Sequence, residues 1–159
     1  MIDSDINVRK GGDGDIDAIV AMNMAMATEL ESKVLGSSRL RAGVSAVTGS
    51  TDRGFYVVAE GRGESIGVLH VIPEWNPWRN SFFWWIENVY VVAGWRRKGV
   101  YRAIHAFVGA AAEAAPEVCG IRLFATDDNP GARRTYESVG MSTEACHMFE
   151  IDFVFGGEG

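Results

Sequence analysis

The feature that most constrains this chain is a long apolar run followed by a basic turn with a glycine at each end. The run, FFWWIENVYVV at residues 82–92, is rich in aromatic and β-branched residues, which predicts a buried central strand. The turn, GWRRKG at residues 94–99, leads into an alanine-rich segment that predicts a helix ending before Pro116. A strand, a turn and a helix in this order indicate an α/β fold.

The flanking segments extend this pattern to a single α/β domain with a mixed sheet. INVRKGG at residues 6–12 predicts a first strand, and apolar residues at helical spacing predict a helix in residues 13–33. A second helix is expected within residues 34–52, and residues 54–72 predict a β-hairpin around a glycine-rich turn. The remaining predicted elements are a loop at residues 73–81, a strand at 120–128, a short helix closed by Gly140 and a last strand at 145–153.

The composition argues against several classes of protein. Hydrophobic residues make up 47% of the 159 residues and charged residues 23%, a balance typical of a globular domain rather than a disordered chain. The net charge of −6 argues against general nucleic-acid binding. No apolar run approaches the ~20 residues that span a bilayer, and Met1 leads into a polar segment, so a cytoplasmic protein without a membrane partner is expected. Cys119 and Cys146 lie in apolar-rich segments and are predicted to be buried free thiols rather than a disulfide.

Two short patterns imitate catalytic motifs without their structural context. GESIG at residues 63–67 fits the G-x-S-x-G pattern of a hydrolase, but both of its flanks predict strands, whereas that motif needs a strand turning into a helix. GWRRKG has the glycine spacing of a nucleotide-binding P-loop, but valine and tyrosine follow it instead of lysine and serine or threonine. His70, His105 and His147 lack the paired spacing of metal ligands, so no metal site is expected.

The basic turn can nevertheless bind a diphosphate through backbone N–H groups at the start of the helix. Gly99 would let the backbone approach the phosphates closely. Arg96, Arg97, Lys98 and Arg102 would supply positive charge. The alternative interpretation of these residues is an ordinary solvated helix start.

The sequence IENVYVVAGWRRKGVYRAI, residues 86–104, resembles the central motif of the GNAT N-acetyltransferase superfamily: a strand, then Arg/Gln-x-x-Gly-x-Gly/Ala, then a helix. NPGARRTYESVGM, residues 129–141, resembles the second motif of that family in the expected order and spacing. The hairpin and the first helix also lie where the family has them, so the resemblance covers nearly the whole chain. Tyr101 departs from the usual glycine or alanine, and its side chain must therefore point away from the diphosphate.

The resemblance implies one GNAT-type domain over residues 1–159, in the α/β (α+β) class. Its sheet would be mixed, mostly antiparallel and splayed between the fourth and fifth strands, with helices on both faces. Acetyl-CoA would be the cofactor, with its diphosphate on the amides of residues 97–102 and its pantetheine arm beside the central strand. The implied cofactor-binding residues are Val89, Tyr90, Val91, Arg96, Arg97, Lys98, Gly99, Val100, Tyr101, Arg102, Asn129 and Tyr136.

The implied reaction is direct acetyl transfer to a primary amine of a small molecule or peptide in a ternary complex. An amine of pKa roughly 10.4 must first lose a proton, which costs about 4.6 kcal/mol at pH 7 and makes a general base useful. Glu87 is the acid within the apolar run, where burial would raise its pKa and alternation would place it on the same face as Val89 and Val91. It could instead pair with Arg122 as a structural residue. Tyr136 would protonate the departing thiolate or donate a hydrogen bond to it.

The acceptor site would be formed by the first helices and the loop after the hairpin. Acidic and aromatic side chains there could bind a cationic amine, which the net negative charge also favours. The tryptophans could equally pack a homodimer interface or cover the core. The candidate acceptor residues are Glu29, Glu74, Trp75 and Trp78. The alternative functions are a non-catalytic acyl-CoA-binding or regulatory module of the same fold and a nucleotide-binding protein.

Overall fold

The computed structural model describes residues 5–155, which fall into two compact units that meet in sequence at Phe124 and Ala125. None of the helices in this range is long and apolar enough to cross a membrane. The first unit contains strands β1 (Ile6–Lys10), β2 (Phe55–Gly61), β3 (Glu64–Asn76), β4 (Ser81–Val91) and β5 (Val118–Arg122), with helices α1 (Ile16–Glu31), α2 (Ser37–Thr48) and α3 (Val100–Ala114). The second unit contains helix α4 (Pro130–Ser138).

The five strands form one sheet in the order β1-β2-β3-β4-β5. The first three pairings are antiparallel, and β4 and β5 are parallel. The β4–β5 ladder ends at the pair Trp85 and Arg122, although β4 continues to Val91. The predicted mixed sheet, splayed between its fourth and fifth strands, is therefore confirmed.

Helices cover both faces of this sheet, as predicted. On one face, here called the α1 face, α1 and α2 pack against Tyr56, Val58, Val68 and Tyr90. On the other, the α3 face, the helix buries apolar side chains spaced four residues apart. Complete burial of one such side chain contributes about 1.5–3 kcal/mol. The fully buried side chains of α3 are Val100, Ile104 and Val108.

Gly67 allows α3 to lie directly on β3. A Cβ atom at this position would be 3.0 Å from Val100 Cγ1 and 3.1 Å from Ile104 Cδ1. Gly67 is also the register partner of Val91. The first turn of α3 is therefore held beside the end of β4, where the sheet opens.

Three predicted segments differ in the structure. The strand predicted for residues 120–128 is β5, Val118–Arg122, so its second half is not a strand. Strand β3 continues through Asn76, so the loop predicted for residues 73–81 shrinks to a turn at residues 77–80. The strand predicted for residues 145–153 is wrong, because residues 141–155 contain no strand. Their β-forming composition finds no backbone partner within the described range, and a strand needs a partner strand for its hydrogen bonds.

The two cysteines are free thiols, as predicted, but the prediction that they are buried is wrong. Cys119 lies on β5 at the edge of the sheet, where its Sγ contacts the carbonyl oxygen of Phe82 at 3.2 Å. Cys146 lies in the segment that forms no strand. Both side chains are exposed because neither belongs to an element covered on both sides.

Candidate active site

The turn between β4 and α3 is held against the sheet by Trp95. A Cβ atom at Gly61 would be 2.8 Å from Trp95 Cη2, so the indole lies directly on the end of β2. Gly99 then adopts a φ of 84°, which glycine reaches without a steric penalty, and α3 begins at Val100. No side chain among the described residues caps this helix. An uncapped helix N-terminus with a basic surrounding is suited to a bound anion.

The basic side chains of the turn are exposed around this N-terminus. Arg97, Lys98 and Arg102 all face solvent, and Lys98 Nζ lies 5.2 Å from the centroid of the Trp95 ring. Tyr101 instead packs against the core of the α3 face, with its ring centroid 5.8 Å from that of His105. The tyrosine that departs from the family pattern therefore leaves the mouth of the turn open.

Arg96 differs from its neighbours because its side chain reaches back to α1. Its Nη2 donates to Glu29 Oε2 at 2.6 Å, and its Nε donates to the Val91 carbonyl oxygen at 2.9 Å. Tyr90 Oη donates to Glu29 Oε1 at 2.8 Å. The hydrogen bonds from Arg96 and Tyr90 lower the pKa of Glu29, and burial together with Glu29 raises the pKa of Tyr90. One network thus joins a predicted acceptor residue, Glu29, to predicted cofactor residues.

The free edge of β4 presents backbone groups toward the opening of the sheet. The N–H group of Val92 donates to the carbonyl oxygen of Ile66 on β3, at 2.9 Å. Because successive residues in an antiparallel strand direct their polar groups to opposite sides, the N–H and C=O groups of Val91 face the β5 side. The β4–β5 ladder has ended by this point. The carbonyl is occupied by Arg96, which leaves the N–H group of Val91 directed into the opening.

Tyr136 lies on α4 in the second unit, and Asn129 immediately precedes that helix. Asn129 Oδ1 accepts a hydrogen bond from the N–H group of Ala132 at 3.1 Å, so this side chain caps the helix that begins at Pro130. Gly140, with a φ of 91°, follows the end of the helix as predicted. Tyr136 is half-buried, and burial raises the pKa of its phenol. The phenol is therefore protonated at neutral pH.

Comparison with known proteins identifies the family. The model of the acetyltransferase (GNAT) family matches residues 24–141, which include the splayed strand, the basic turn and α4. The chain belongs to the GNAT acetyltransferase family. Among curated proteins, no sequence is significantly similar to it.

Solved structures share the GNAT fold with this chain. A possible acetyltransferase from Clostridium difficile 630 is 30% identical, with 94% of this chain and 98% of that chain covered and a TM-score of 0.85. An aminoglycoside acetyltransferase from an uncultured soil metagenomic sample, in complex with sisomicin, is 12% identical, with 95% and 99% covered and a TM-score of 0.77. Glucosamine-6-phosphate N-acetyltransferase from Arabidopsis thaliana is 18% identical, with 92% and 97% covered and a TM-score of 0.72. The last two similarities extend to the fold alone.

The candidate base of this GNAT protein, Glu87, lies on a surface that the sequence does not predict. Its side chain is exposed, so the predicted burial is wrong. The predicted alternation is also wrong, because Asn88 has a φ of 52° and the β3–β4 register shifts beside it, which is characteristic of a β-bulge. Glu87 pairs with His70 on the α1 face, whereas Val89 and Val91 pack on the α3 face.

His70 is a site residue that sequence reasoning misses, because the histidines are considered there only as metal ligands. Its ring is 8% exposed and stacks on Tyr56 with centroids 4.8 Å apart. Its Nε2 lies 2.8 Å from the carbonyl oxygen of Arg53, and since a carbonyl only accepts, Nε2 carries a proton. Burial lowers the pKa of His70, although the Arg53 hydrogen bond and the charge of Glu87 oppose that shift. His70 follows Val68 by two residues on the same strand, and Val68 lies on the α1 face. Strand alternation is therefore the sequence signal that could have placed His70 on that face.

The free energy of unfolding is expected to fall as the pH decreases from about 7 to about 5. The pKa of His70 in the folded protein lies below its unfolded value of about 6.5, so the unfolded chain binds the proton first. This contribution to stability is complete above the unfolded pKa and is lost as the pH falls below it. Burial lowers the pKa of His105 too, so that residue acts in the same direction.

The pH dependence of the free energy of unfolding can be measured by denaturant unfolding at several pH values between about 5 and 7. The parent protein and the His70→Gln variant are compared. The variant should show a flatter dependence because it lacks one of the two groups. Parallel curves for the two proteins would contradict the assignment to His70.

The predicted acceptor residues do not form one cluster. Trp84 packs on the α3 face, so its strand neighbour Phe83 lies on the α1 face. Glu74 is the register partner of Phe83 and therefore lies on the α1 face too. Trp75 lies on the opposite face, where its ring contacts that of Phe82 with centroids 5.0 Å apart. Trp78 is 92% exposed in the turn between β3 and β4. Of this group, Glu74 shares the face that carries Glu87, and Glu29 lies over that face because it accepts from Tyr90.

Proposed function

We propose that this GNAT protein is an acetyl-CoA-dependent N-acetyltransferase that moves an acetyl group to a primary amine of a small molecule or peptide in a ternary complex. The observation that carries the proposal is the N-terminus of α3, which begins after Gly99 and is surrounded by the exposed cations Arg97, Lys98 and Arg102. The structure at 30% identity, that of a possible acetyltransferase, supports the same activity.

The turn and the edge of β4 fit the cofactor. A diphosphate would be bound by the amides of the first turn of α3 and by the exposed cations of the turn. The N–H group of Val91, which faces the opening of the sheet, would donate to an amide oxygen of the pantetheine arm. The family resemblance assigns Asn129 to the cofactor as well. When bound, acetyl-CoA supplies an acetyl group activated as a thioester.

Glu87 would remove a proton from the acceptor amine, directly or through a water molecule. Its exposed carboxylate can be reached by an amine that approaches the α1 face. Deprotonating an amine of pKa roughly 10.4 at pH 7 costs about 4.6 kcal/mol. A positioned base lowers the barrier by a comparable amount, about 3–5 kcal/mol. His70, opposite Glu87 in the ladder, would be uncharged at pH 7 because burial lowers its pKa, so it would not form an ion pair with the carboxylate.

Tyr136 would stabilise the departing thiolate through its Oη–H group. A thiol of pKa about 8.5 is more acidic than a phenol of pKa about 10, and burial raises the pKa of Tyr136 further. Complete proton transfer is therefore unnecessary. A hydrogen bond from the phenol to the sulfur is sufficient to lower the barrier.

A panel of primary amines, monitored by release of free thiol, tests the proposed activity. Thiol should appear only when acetyl-CoA and a competent amine are both present, in amounts equal to the acetylated amine measured by mass spectrometry. Binding of acetyl-CoA without thiol release on any amine would indicate the non-catalytic module instead.

Replacing both Arg97 and Lys98 with glutamine is expected to weaken acetyl-CoA binding about tenfold, since two exposed charges contribute up to about 1 kcal/mol each. The loss should shrink at high salt, which screens exposed charges. Acetyl-pantetheine, which lacks the diphosphate, should bind the variant and the parent equally. Calorimetric titration of both ligands measures the difference.

The double variant Lys33→Gln/Arg39→Gln is the matched control, because it removes two charges from the exposed segment around the start of α2. Equal weakening in the control, or equal weakening for acetyl-pantetheine, would contradict diphosphate binding by the turn.

A further inference from the structure

The α1 face of the sheet carries an aromatic surface beside β5 on which two arginines rest. Phe83 and Trp85 alternate on β4, and Arg122 is the β5 register partner of Trp85. Arg122 Cζ lies 3.5 Å from the centroid of the Phe83 ring and 5.9 Å from that of Trp85. Arg79 Cζ lies 5.0 Å from the Phe83 centroid. These four residues are called the Phe83–Trp85 patch below.

Hydrogen-bond donors outnumber acceptors in the patch. Trp85 Nε1 is buried and has no hydrogen-bond partner within residues 5–155. Arg122 Nη1 is 3.9 Å from Glu74 Oε1, which is too long for a hydrogen bond, and no carboxylate in the described part of the chain pairs with Arg79. An unpaired buried donor costs about 1–3 kcal/mol, so such groups in folded proteins require an explanation. The guanidiniums of Arg79 and Arg122 are accessible, so a ligand that brings oxygen acceptors would reach both, whereas Trp85 Nε1 is buried in a ring on which Phe124 stacks.

The patch adjoins the carboxylate assigned to the acceptor amine. Glu87 follows Trp85 by two residues on the same strand and the same face, a spacing of about 7 Å along β4. Arg122, the register partner of Trp85, therefore lies beside the part of β4 that carries Glu87. Glu74, on the same face, adds a second carboxylate near Arg122. The surface thus has Glu87 at one end, suited to an ammonium group. At the other end two guanidiniums face the single carboxylate of Glu74, which leaves a net positive charge suited to an anion.

We propose that the acceptor carries an anionic oxygen group, a carboxylate or a phosphate, a few atoms from its amine. The patch binds that group through Arg122 and Arg79. This inference rests on the proposed function and names its class of substrate. The planar guanidinium matches carboxylate and phosphate oxygens in pairs, and the aromatic rings hold both guanidiniums in place.

The test compares matched acceptors in the thiol-release assay. Each amino acid in the panel is paired with its carboxamide, and each amino sugar with its phosphate ester, so that the two arms separate carboxylate from phosphate. In the amino acid pairs or in the amino sugar pairs, the anionic member should have a kcat/KM at least about tenfold higher than its neutral partner, mainly through a lower KM. Equal or higher kcat/KM for the neutral members of both pair types would overturn the inference.

Substitution of the patch arginines ties the preference to these residues. In Arg122→Gln the ratio of kcat/KM between the anionic and neutral members should fall toward one, whereas Arg122→Lys should retain part of it. Arg79→Gln is a second variant, needed because Arg122 also covers Phe83 and its loss could impair folding. Arg39→Gln, which removes the same charge from exposed α2, should keep the parent ratio. A parent-like ratio in well-folded Arg122→Gln and Arg79→Gln would overturn the assignment.

The outcomes distinguish this inference from the proposed function. Acetylation of neutral and anionic amines at equal rates would support the proposed activity and contradict the proposed substrate class. Absence of thiol release with every amine would contradict both the proposed activity and the proposed substrate class.

Discussion

Tyr136→Phe is expected to lower kcat about a hundredfold or more while changing the affinity for acetyl-CoA by less than about twofold. The phenylalanine keeps the ring and therefore the packing, but it cannot donate a hydrogen bond to the departing thiolate. Because burial raises the pKa of the Tyr136 phenol, the parent enzyme holds this proton throughout the neutral range. The loss should therefore be similar at every pH from about 6 to 9. Steady-state kinetics and calorimetric titration measure the two quantities.

Tyr56→Phe is the matched control, because it removes the same oxygen atom from a tyrosine that the proposal does not use and keeps the ring that stacks on His70. Glu87→Gln is the companion variant for the base, and its kcat/KM should fall by a similar factor. A Tyr136→Phe protein with the parent kcat would show that the thiolate leaves without help from the phenol.

Gly54→Ala is expected to reduce the free energy of unfolding by about 3 kcal/mol or more. Gly54 has a φ of 82°, a conformation that costs an L-residue roughly 1–2 kcal/mol. A Cβ atom there would also lie 1.8 Å from the carbonyl oxygen of Val71 and 2.9 Å from its carbonyl carbon. These are backbone atoms of β3, and the register partner of Val71 is Phe55, so they can move only by disturbing the β2–β3 ladder. Relieving such overpacking adds about 1–3 kcal/mol.

Gly63→Ala separates the two contributions. Gly63 has a nearly identical φ of 81°, but a Cβ atom there would meet nothing within 4 Å in the described part of the chain. Its substitution should cost only the conformational part, about 1–2 kcal/mol. Chemical denaturation of both variants gives the comparison, and equal losses would mean that the contact with Val71 carries no cost.

The elements to which the proposal assigns the cofactor could be predicted from the sequence because their signals are local. The apolar run of β4, the glycine at residue 99 and the alanine-rich helix after it lie within about 30 consecutive residues. Asn129 and Gly140 likewise mark the two ends of α4, and the structure has a cap and a positive φ at those positions. The family match over residues 24–141 agrees with this part of the prediction.

The environment of the candidate base could not be predicted, because it depends on a backbone irregularity. The apolar neighbours of Glu87 predict a buried carboxylate, but the bulge at Asn88 turns Glu87 to the exposed α1 face. A bulge changes which face a side chain occupies while leaving the composition of the strand unchanged. The strand predicted for residues 145–153 is wrong for a related reason, since the β propensity of a segment does not specify a partner for it.

By itself, the sequence determined the order of the elements through α4, the start of α3 after Gly99 and the family, because those depend on neighbouring residues and short turns. Only the tertiary structure decided which side chains meet. Arg96 pairs with Glu29 across 67 residues, and His70 meets the carbonyl of Arg53 across 17. Such contacts follow from strand register and helix packing, which set distances between residues far apart in the chain.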